Sequence, residues 1–478
     1  MKFIIKLHPE IIMKSQSVRK RFIKVLSGNI RHVLKPTDET LTVFQHWDFI
    51  EVRSRDDTKR DVILDNLQRL SGIHHVLDVL QMDFDDLSDI LNKVSAVVAD
   101  DLAGKSFCVR VKRRGKHDFS SMDVARYVGG GLNQAIPTAT VKLKNPDVTV
   151  HIEIDDDKMM IVQGRYEGMG GFPMSTQDDV LSLISGGFDS AVASHAFIRR
   201  GSRVHYVFFN LGGVAHETGV RQMVSHLWGR YSRSHRVKFI SVDFAPVVEA
   251  ILTHVPDGYM GVVLKRMMVR VASDIARHYK IPALVTGEAM GQVSSQTLTN
   301  LAMIDQASDT LILRPLITHD KADIIQMAER IGAYDIAKDL PEYCGVISKK
   351  PTVKATPDGV LDAEREFDFA ILQKVAKSAV VIDVRQLDKL DTPSHDILTV
   401  HDVKDGEMVI DIRSPMETDE RPLDLPHLAI PFFKLAKQTA DLDKSKTYLL
   451  YCQQGVMSRL QAVAMAEQGF DVKVLKLH

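Results

Sequence analysis

Three stretches of this 478-residue chain place chemically capable residue types at telling spacings. The first is Ser185-Gly186-Gly187-Phe188-Asp189-Ser190. Two glycines let backbone N–H groups approach an oxyanion, and Ser185 and Ser190 add hydroxyl donors. A helix starting behind them supplies free N–H groups and a positive dipole end. That is an anion cradle, and no Lys-Ser or Lys-Thr closes it as in a Walker A loop. A plain strand-to-helix turn capped by Asp or Ser is the alternative. The second stretch is Cys452-Gln453-Gln454-Gly455-Val456-Met457-Ser458-Arg459. At a strand end and helix head, Cys452 faces converging N–H groups and Arg459. Both lower a thiol pKa and stabilise a thiolate or persulfide. A buried structural cysteine is the alternative. The third is basic: Arg110, Lys112, Arg113, Arg114 and Lys116, with no acid until Asp118. It reads as a compact phosphate site or as a solvated turn.

The elements that must position these residues follow from periodicity. Residues 1–60 read as a small α+β unit with strands over 3–7, 40–44 and 49–52. Its helix over 17–33 carries Arg19, Lys20, Arg21, Lys24 and Arg31, which also fit a solvated face. Residues 61–165 read as a second α+β unit with helices over 60–70, 87–102 and 120–132. Gly129-Gly130-Gly131 marks the end of the last helix. A strand begins at Phe107, with Val109 and Val111 on one face and Arg110 and Lys112 on the other. It runs into a turn holding Arg113, Arg114 and Lys116. A closing hairpin spans 149–154 and 159–163. After a glycine-rich hinge at 168–173, strands over 180–184, 204–209, 238–242 and 283–286 alternate with helices. That pattern predicts a doubly wound parallel sheet with ligands at the carboxyl ends of its strands, where the Ser185 cradle sits.

Other polar residues fall near such strand ends. Thr286-Gly287-Glu288 leads into a polar loop, 291–297, that includes Gln296. Lys265 and Arg266 lie on a helix over 261–278, and Arg314 and His319-Asp320-Lys321 follow. Surface cations and a helix cap at Asp320 are the plain readings. Residues 356–400 read as a polar connector with one helix, 367–377. Residues 403–478 read as a small α/β unit with strands over 408–412 and 447–451, containing Asp411-Ile412-Arg413 and Glu417.

Composition narrows the class. Net charge is −1, so a nucleic-acid partner must be held by a local patch. Cys108, Cys344 and Cys452 form no CxxC pair, which spells out no zinc or iron–sulfur ligand set. Cys108, between Phe107 and Val109, reads as structural. No apolar run is long enough to span a bilayer, and Lys6, Pro9 and Glu10 interrupt what would be a signal peptide. A cytoplasmic protein without a membrane partner is expected.

The stretch 180–191 resembles the pyrophosphate loop of enzymes that split ATP between its α and β phosphates. The basic strand resembles that of the THUMP domain, an RNA-binding module. The Cys452 loop, with Gly455, Arg459 and the upstream Asp-Ile-Arg, resembles a rhodanese, although Gln453 stands where many rhodaneses place arginine. The pieces, in this order and with Glu342-Tyr343-Cys344-Gly345, resemble the bacterial tRNA 4-thiouridine synthase family in its long form. The implied fold is multidomain α+β and α/β. It has a ferredoxin-like N-terminal unit (1–60) and a THUMP α+β domain (61–165). A doubly wound parallel-sheet adenine-nucleotide domain (174–395, connector included) and a rhodanese-like α/β domain (403–478) follow.

The resemblance implies ATP, with Mg²⁺, held by backbone at Leu183 and Ile184 and by Ser185, Gly186, Gly187, Ser190, Lys265, Gly287 and Gln296. Asp189 and Lys321 then orient or stabilise adenylation of uridine O4 at tRNA position eight. A cysteine desulfurase loads Cys452 with persulfide sulfur inside a loop shaped by Gly455, Ser458 and Arg459. Cys344 attacks the persulfide, leaving a Cys344–Cys452 disulfide that must be reduced. The two cysteines are far apart in sequence, so the rhodanese unit must swing onto the ATP unit. Arg110, Lys112, Arg113, Arg114 and Lys116 contact the tRNA. The family also hands sulfur to the carrier protein of thiamin thiazole synthesis. Rival readings are a sulfur relay for thiazole synthesis alone, an iron–sulfur tRNA thiolase, and an RNA-binding scaffold with an inactive ATP fold. Scattered cysteines oppose the second, and the intact Ser185–Ser190 loop opposes the third. The sequence leaves a homodimer open.

Overall fold

The computed structural model describes all residues except 212, 339–349, 390–396, 414–417, 419–420, 453–455 and 478. Cys344 with its neighbours 342–345, Glu417, Gln453 and Gly455 therefore lie outside the described residues. The chain divides into two compact units. One is Met1–Thr176 with Arg199–Gly201, and the other is Gln177–Ile198 with Ser202–His478.

The first unit is built on one mixed sheet. Its strands are β1 (Lys2–Leu7), β2 (Thr42–Gln45), β3 (Phe49–Arg53), β4 (Ile73–Asp83), β5 (Ser106–Arg114), β6 (Thr140–Val141), β7 (Val148–Asp155) and β8 (Lys158–Glu167). Their order is β2-β3-β1-β4-β8-β7-β5-β6. Phe3, Ile5 and Leu7 bury against Phe22, Leu26 and Ile30 of the helix Gln16–Leu34. On the same face, Phe107, Val109, Ile152 and Ile161 bury against the helices Leu87–Leu102 and Ser121–Ala135. The opposite face carries a small apolar patch of Ile4, Leu77 and Val79 among polar residues.

Three features differ from the sequence reading. β4 was not anticipated. It pairs with β1 on one side and β8 on the other, so one sheet runs through the segments read as 1–60 and 61–165. Its residues are mostly shielded on both faces, which erases the two-residue alternation that marks a strand. Gly129-Gly130-Gly131 lies inside the helix Ser121–Ala135 and does not end it. A Cβ at Gly131 would collide with Leu91, so glycine there admits close approach of the two helices. Arg113 and Arg114 also belong to β5 and not to a turn.

The second unit contains two sheets. Strands β9 (Val180–Leu183), β10 (Val204–Asn210), β11 (Lys238–Asp243), β12 (Ala283–Val285), β13 (Leu311–Leu313) and β14 (Val380–Asp383) run in the order β13-β12-β9-β10-β11-β14. All neighbours are parallel except β11 and β14. The chain builds outward from β9 through β10 and β11, then returns to β12 on its other side. That reversal between β9 and β12 opens a crevice at their carboxyl ends. The helix Met260–His278 fills one face, burying Val263, Met267 and Val271 against Leu181, Val207 and Ile240. The segment 356–400 is more than a connector. Its helices Pro357–Glu364 and Ala370–Lys377 bury Val360, Leu372 and Val375 in that core, Phe367 joins them from the link between, and β14 edges the sheet.

The smaller sheet is all parallel. β15 (Thr399–Val400), β16 (Glu407–Asp411), β17 (His427–Ala429), β18 (Thr447–Tyr451) and β19 (Asp471–Leu475) take the order β15-β19-β18-β16-β17. Its helix Val456–Glu467 lies against the helix Gly213–Leu227 of the larger sheet. No helix among the described residues is long and apolar enough to cross a membrane.

Candidate active site

β9 is an apolar strand at the centre of its sheet, and the chain leaves it through Ser185–Gly187 into the helix Phe188–Arg199. Gly186 takes φ +87°, a conformation that glycine adopts without a Cβ penalty. The Ser185 N–H donates to Ser190 Oγ at 3.3 Å, and that hydroxyl donates to the Gly187 carbonyl at 2.8 Å. His216 Nε2 donates to the Ser185 carbonyl at 3.2 Å. Burial pushes the His216 pKa down to about 4, so the ring is a neutral strut at pH 7. The loop after β12 closes the other wall. A Cβ on Gly287 would lie 2.6 Å from both the Asp189 carbonyl carbon and the Ser190 nitrogen. Gly287→Ala therefore forces the two loops apart by a fraction of an ångström to an ångström. Turnover at this site is expected to fall by about 100-fold while the circular dichroism spectrum is kept. Steady-state turnover measures it, and a near-parental rate would show that this close approach does no catalytic work.

Between these loops lies a cavity of about 620 Å³. Leu183, Ile184, Ser185, Gly187, Ser190, Lys265, Gly287 and Gln296 line it, as do Asp189 and Lys321. Gly186 sits in the same loop but is not a lining residue. Lys321 opens the helix Lys321–Arg330 and donates to both Asp189 carboxylate oxygens at 3.0 Å. Its ammonium also stands 4.3 Å from the Phe188 ring centroid. Gln292 Nε2 and Gln296 Oε1 are buried in the wall without partners among the described residues.

A second charged group forms the floor. Glu288 accepts from Lys265 Nζ at 2.7 Å, from Arg314 Nε at 2.8 Å and from Thr286 Oγ1 at 3.1 Å. Arg314 also pairs with Asp305 at 2.6 Å. Burial pushes the Glu288 carboxyl up, but Lys265 and Arg314 more than offset this and hold it at about 2. A carboxyl depressed on folding contributes stability above its unfolded pKa, and that stability is lost as pH falls through the folded value. The window here runs from about 4.5 down to about 2, worth on the order of 3 kcal/mol. Glu288→Gln is expected to lower stability at pH 7 by about 3 kcal/mol, because it strips a buried partner from two cations. The variant should also flatten the pH dependence of the urea midpoint across that window. An unchanged acid profile would refute the assignment. Sequence reasoning quoted Glu288 and Arg314 without a role, placed Gln292 only within the polar loop, and missed His216. The partners of Glu288, Arg314 and His216 lie on other elements, so no local motif announces them.

The cysteine site lies on the smaller sheet. Cys452 follows β18, and its Sγ accepts from the Ser458 N–H at 3.3 Å. Ser458 Oγ lies 3.3 Å from the same sulfur. The helix start thus aims a backbone donor and a buried hydroxyl at the Cys452 sulfur. Arg459 is exposed, and the described contacts of Sγ are to Ser458. Asp411 and Arg413 form a buried bidentate pair, and Arg413 braces the Arg421 carbonyl at 2.9 Å. Cys108 is buried on β5, 3.7 Å from Thr149 Oγ1, in agreement with a structural role. Cys452 is not among the residues lining the cavity.

A tRNA sulfurtransferase of Pectobacterium carotovorum is 60% identical over 481 residues, with all of both chains covered. One of Escherichia coli is 58% identical over the same span. The chain belongs to the tRNA sulfurtransferase family. Its parts match family models in sequence: a ThiI ferredoxin-like domain over 2–76, a THUMP domain over 84–162, and thiamine biosynthesis protein (ThiI) over 175–369. A solved 4-thiouridine synthetase, in complex with RNA and with bound ATP, superposes with a TM-score of 0.71. It is 26% identical, and the match covers 80% of this chain and 99% of that one.

In this sulfurtransferase the basic strand is divided by its pleat. Arg110, Lys112 and Arg114 point away from the helices and are exposed. Arg113 points to the helix side, where its guanidinium is held by the Gly115 carbonyl and by His117 Nδ1, both at 2.9 Å. Lys116 stands exposed in the following loop. The five cations are therefore not one cluster. A strand's alternation separates Arg113 from its neighbours.

Proposed function

We propose that the chain makes 4-thiouridine at tRNA position eight, using ATP and a persulfide on Cys452. The observation that carries this reading is the convergence of the Ser185–Ser190 loop, Lys265, Gln296, Asp189 and Lys321 on one cavity. The donor set suits a nucleotide. Loop N–H groups and Lys265 meet phosphate oxygens, and the orphan amide atoms of Gln292 and Gln296 offer a donor and an acceptor to the base or sugar. No group of three potential metal ligands exists among the described residues. Mg²⁺ would therefore be held chiefly by phosphate oxygens, with Asp189 as the carboxylate at hand. It would neutralise charge on the phosphates.

Uridine O4 attacks the α phosphorus, the bond to the β phosphate breaks, and pyrophosphate leaves. C4 then carries AMP as its leaving group. A cysteine desulfurase supplies sulfane sulfur to Cys452. The terminal sulfur attacks C4 and AMP departs. Cys344 then attacks Cys452 Sγ, which releases 4-thiouridine and oxidises the two thiols to a disulfide. A thiol reductant restores them. Because Cys452 does not line the cavity, transfer needs the small sheet to move relative to the larger one. The same persulfide would serve a sulfur-carrier protein of thiazole synthesis.

The test is nucleoside analysis of tRNA incubated with the protein, ATP, cysteine, a desulfurase and a reductant. 4-Thiouridine that depends on ATP is the expected product. None above the enzyme-free control would sink the reading.

A further inference from the structure

Gln292 and Gln296 sit on the loop between β12 and the helix Leu298–Asp305. The loop closes on itself: the Gly291 N–H donates to the Gln296 carbonyl and the Gln296 N–H to the Val293 carbonyl, both at 2.9 Å. Asn300, in the first turn of the helix that follows, ties it to another part of the chain. This side chain is fully buried and does not line the cavity. Its Nδ2 donates to the Ser294 carbonyl at 2.7 Å and to the Thr352 carbonyl at 2.8 Å, while its Oδ1 accepts from the Ala355 N–H at 2.8 Å. Two acceptors and one donor converge there, and a carboxamide is the group that answers all three. Thr352 and Ala355 belong to a second piece of the cavity wall, in which Pro351 is a lining residue. That piece is also held from its other side. The Thr352 N–H donates to the Gly258 carbonyl at 2.8 Å, and the Lys350 N–H to the Asp257 carboxylate at 2.9 Å. Gly258 lies in the short turn Asp257–Tyr259, directly before the helix that brings Lys265 to the cavity. Thr297 Oγ1 adds a tie to the Val353 carbonyl at 2.8 Å. Asn300 is thus the satisfied polar centre where two wall segments meet, and such a centre fixes geometry because each bond is costly to leave unmade.

We propose that Asn300 is the positioning residue for the nucleoside half of the nucleotide site. It holds the loop 291–297 against the segment 350–355, so that Gln292 Nε2 and Gln296 Oε1 face the cavity at a fixed place. The inference rests on the ATP-dependent reading and deepens it by dividing the binding work. The Ser185–Ser190 loop and Lys265 belong to other elements and meet the phosphates. The wall that Asn300 holds offers two buried, uncharged amide groups, which suit a base or a sugar and not a phosphate chain. Loosening that wall therefore weakens adenosine-containing ligands and spares pyrophosphate.

The experiment measures kcat and the KM for ATP in thiolation by the full-length protein, with AMP and pyrophosphate as competitors. Asn300→Asp keeps the shape, gives up both Nδ2 donors and sets a carboxylate against two carbonyls. The KM for ATP and the inhibition constant of AMP are expected to rise together by about ten- to thirtyfold, with kcat and the pyrophosphate constant within about twofold of the parent. Thr297→Val cuts the neighbouring tie at an exposed position and should give the same pattern at about threefold. If Asn300→Asp does not fold, the constants of Thr297→Val decide alone. AMP and ATP constants unchanged in the folded variants would overturn the inference. So would equal weakening of AMP and pyrophosphate, which is what a general loosening of the unit gives. If thiolation by the parent needs no ATP, the underlying reading falls instead, and the parent assay alone shows it.

Discussion

Cys452→Ser enzyme is expected to make no 4-thiouridine while still forming AMP. Serine keeps the size and the hydrogen bonds to Ser458, so the small sheet should fold as before. What it cannot do is hold a sulfane sulfur. No other described cysteine can replace it, because Cys108 is buried on another sheet. Thiolation should therefore fall by on the order of 1,000-fold or more. On the proposed reading adenylation uses the cavity between β9 and β12, which Cys452 does not line, so AMP release should stay within about twofold. A companion, Ser458→Ala, leaves the backbone N–H to the sulfur and removes only the hydroxyl. One hydrogen bond to a charged group is worth about 1.5–3 kcal/mol, which predicts roughly a tenfold loss or somewhat more. Mass spectrometry of digested tRNA reads thiolation, and labelled ATP reads AMP. Normal thiolation by Cys452→Ser would remove the persulfide assignment. A parallel loss of AMP release would mean that the two half-reactions share a site.

The parts legible in sequence were those whose chemistry is local. Ser185–Ser190 announces itself because glycine, hydroxyl and helix start are contiguous. The Cys452 loop does so for the same reason. The alternation of strand and helix through 174–355 marked out the doubly wound sheet, since each of these parallel strands is a short, mostly apolar run bounded by helices. What stayed hidden depends on distant partners. Glu288 matters through Lys265 and Arg314, which come from a helix 23 residues before it and a strand end 26 residues after it. β4 is concealed by burial on both faces, and β14 by the shortness of its three-residue apolar run, Val380-Val381-Ile382, beside charged residues. Arg113 shows the converse error. Composition grouped it with its neighbours, while the pleat sends it to the other face.

Asp189 and Lys321 provide the second large effect, and their geometry separates catalysis from stability. The pair is partly open to solvent, with side chains 22% and 45% exposed. An ion pair in that setting contributes under about 1 kcal/mol to the fold. A large change in rate on breaking it therefore reports on chemistry. Lys321 approaches from a helix start 132 residues away and lies in the same cavity as the Ser185 loop. On the proposed reading its ammonium follows charge as it grows on the phosphate that leaves, with Asp189 holding it until then. Asp189→Asn keeps the shape but gives up the charge that aims Lys321. Lys321→Ala removes the cation itself. Each is expected to lower AMP formation by about 100- to 1,000-fold, with sulfur loading onto Cys452 intact. If the two act as one device, the double variant should lose little more than the worse single variant. Multiplying losses would mean that Asp189 has a task of its own, such as holding Mg²⁺. A separate Mg²⁺ titration would then show a weakened requirement in Asp189→Asn only. AMP formation within threefold of the parent in both single variants would remove the pair from the mechanism and leave the loop N–H groups and Lys265 to stabilise the transition state alone.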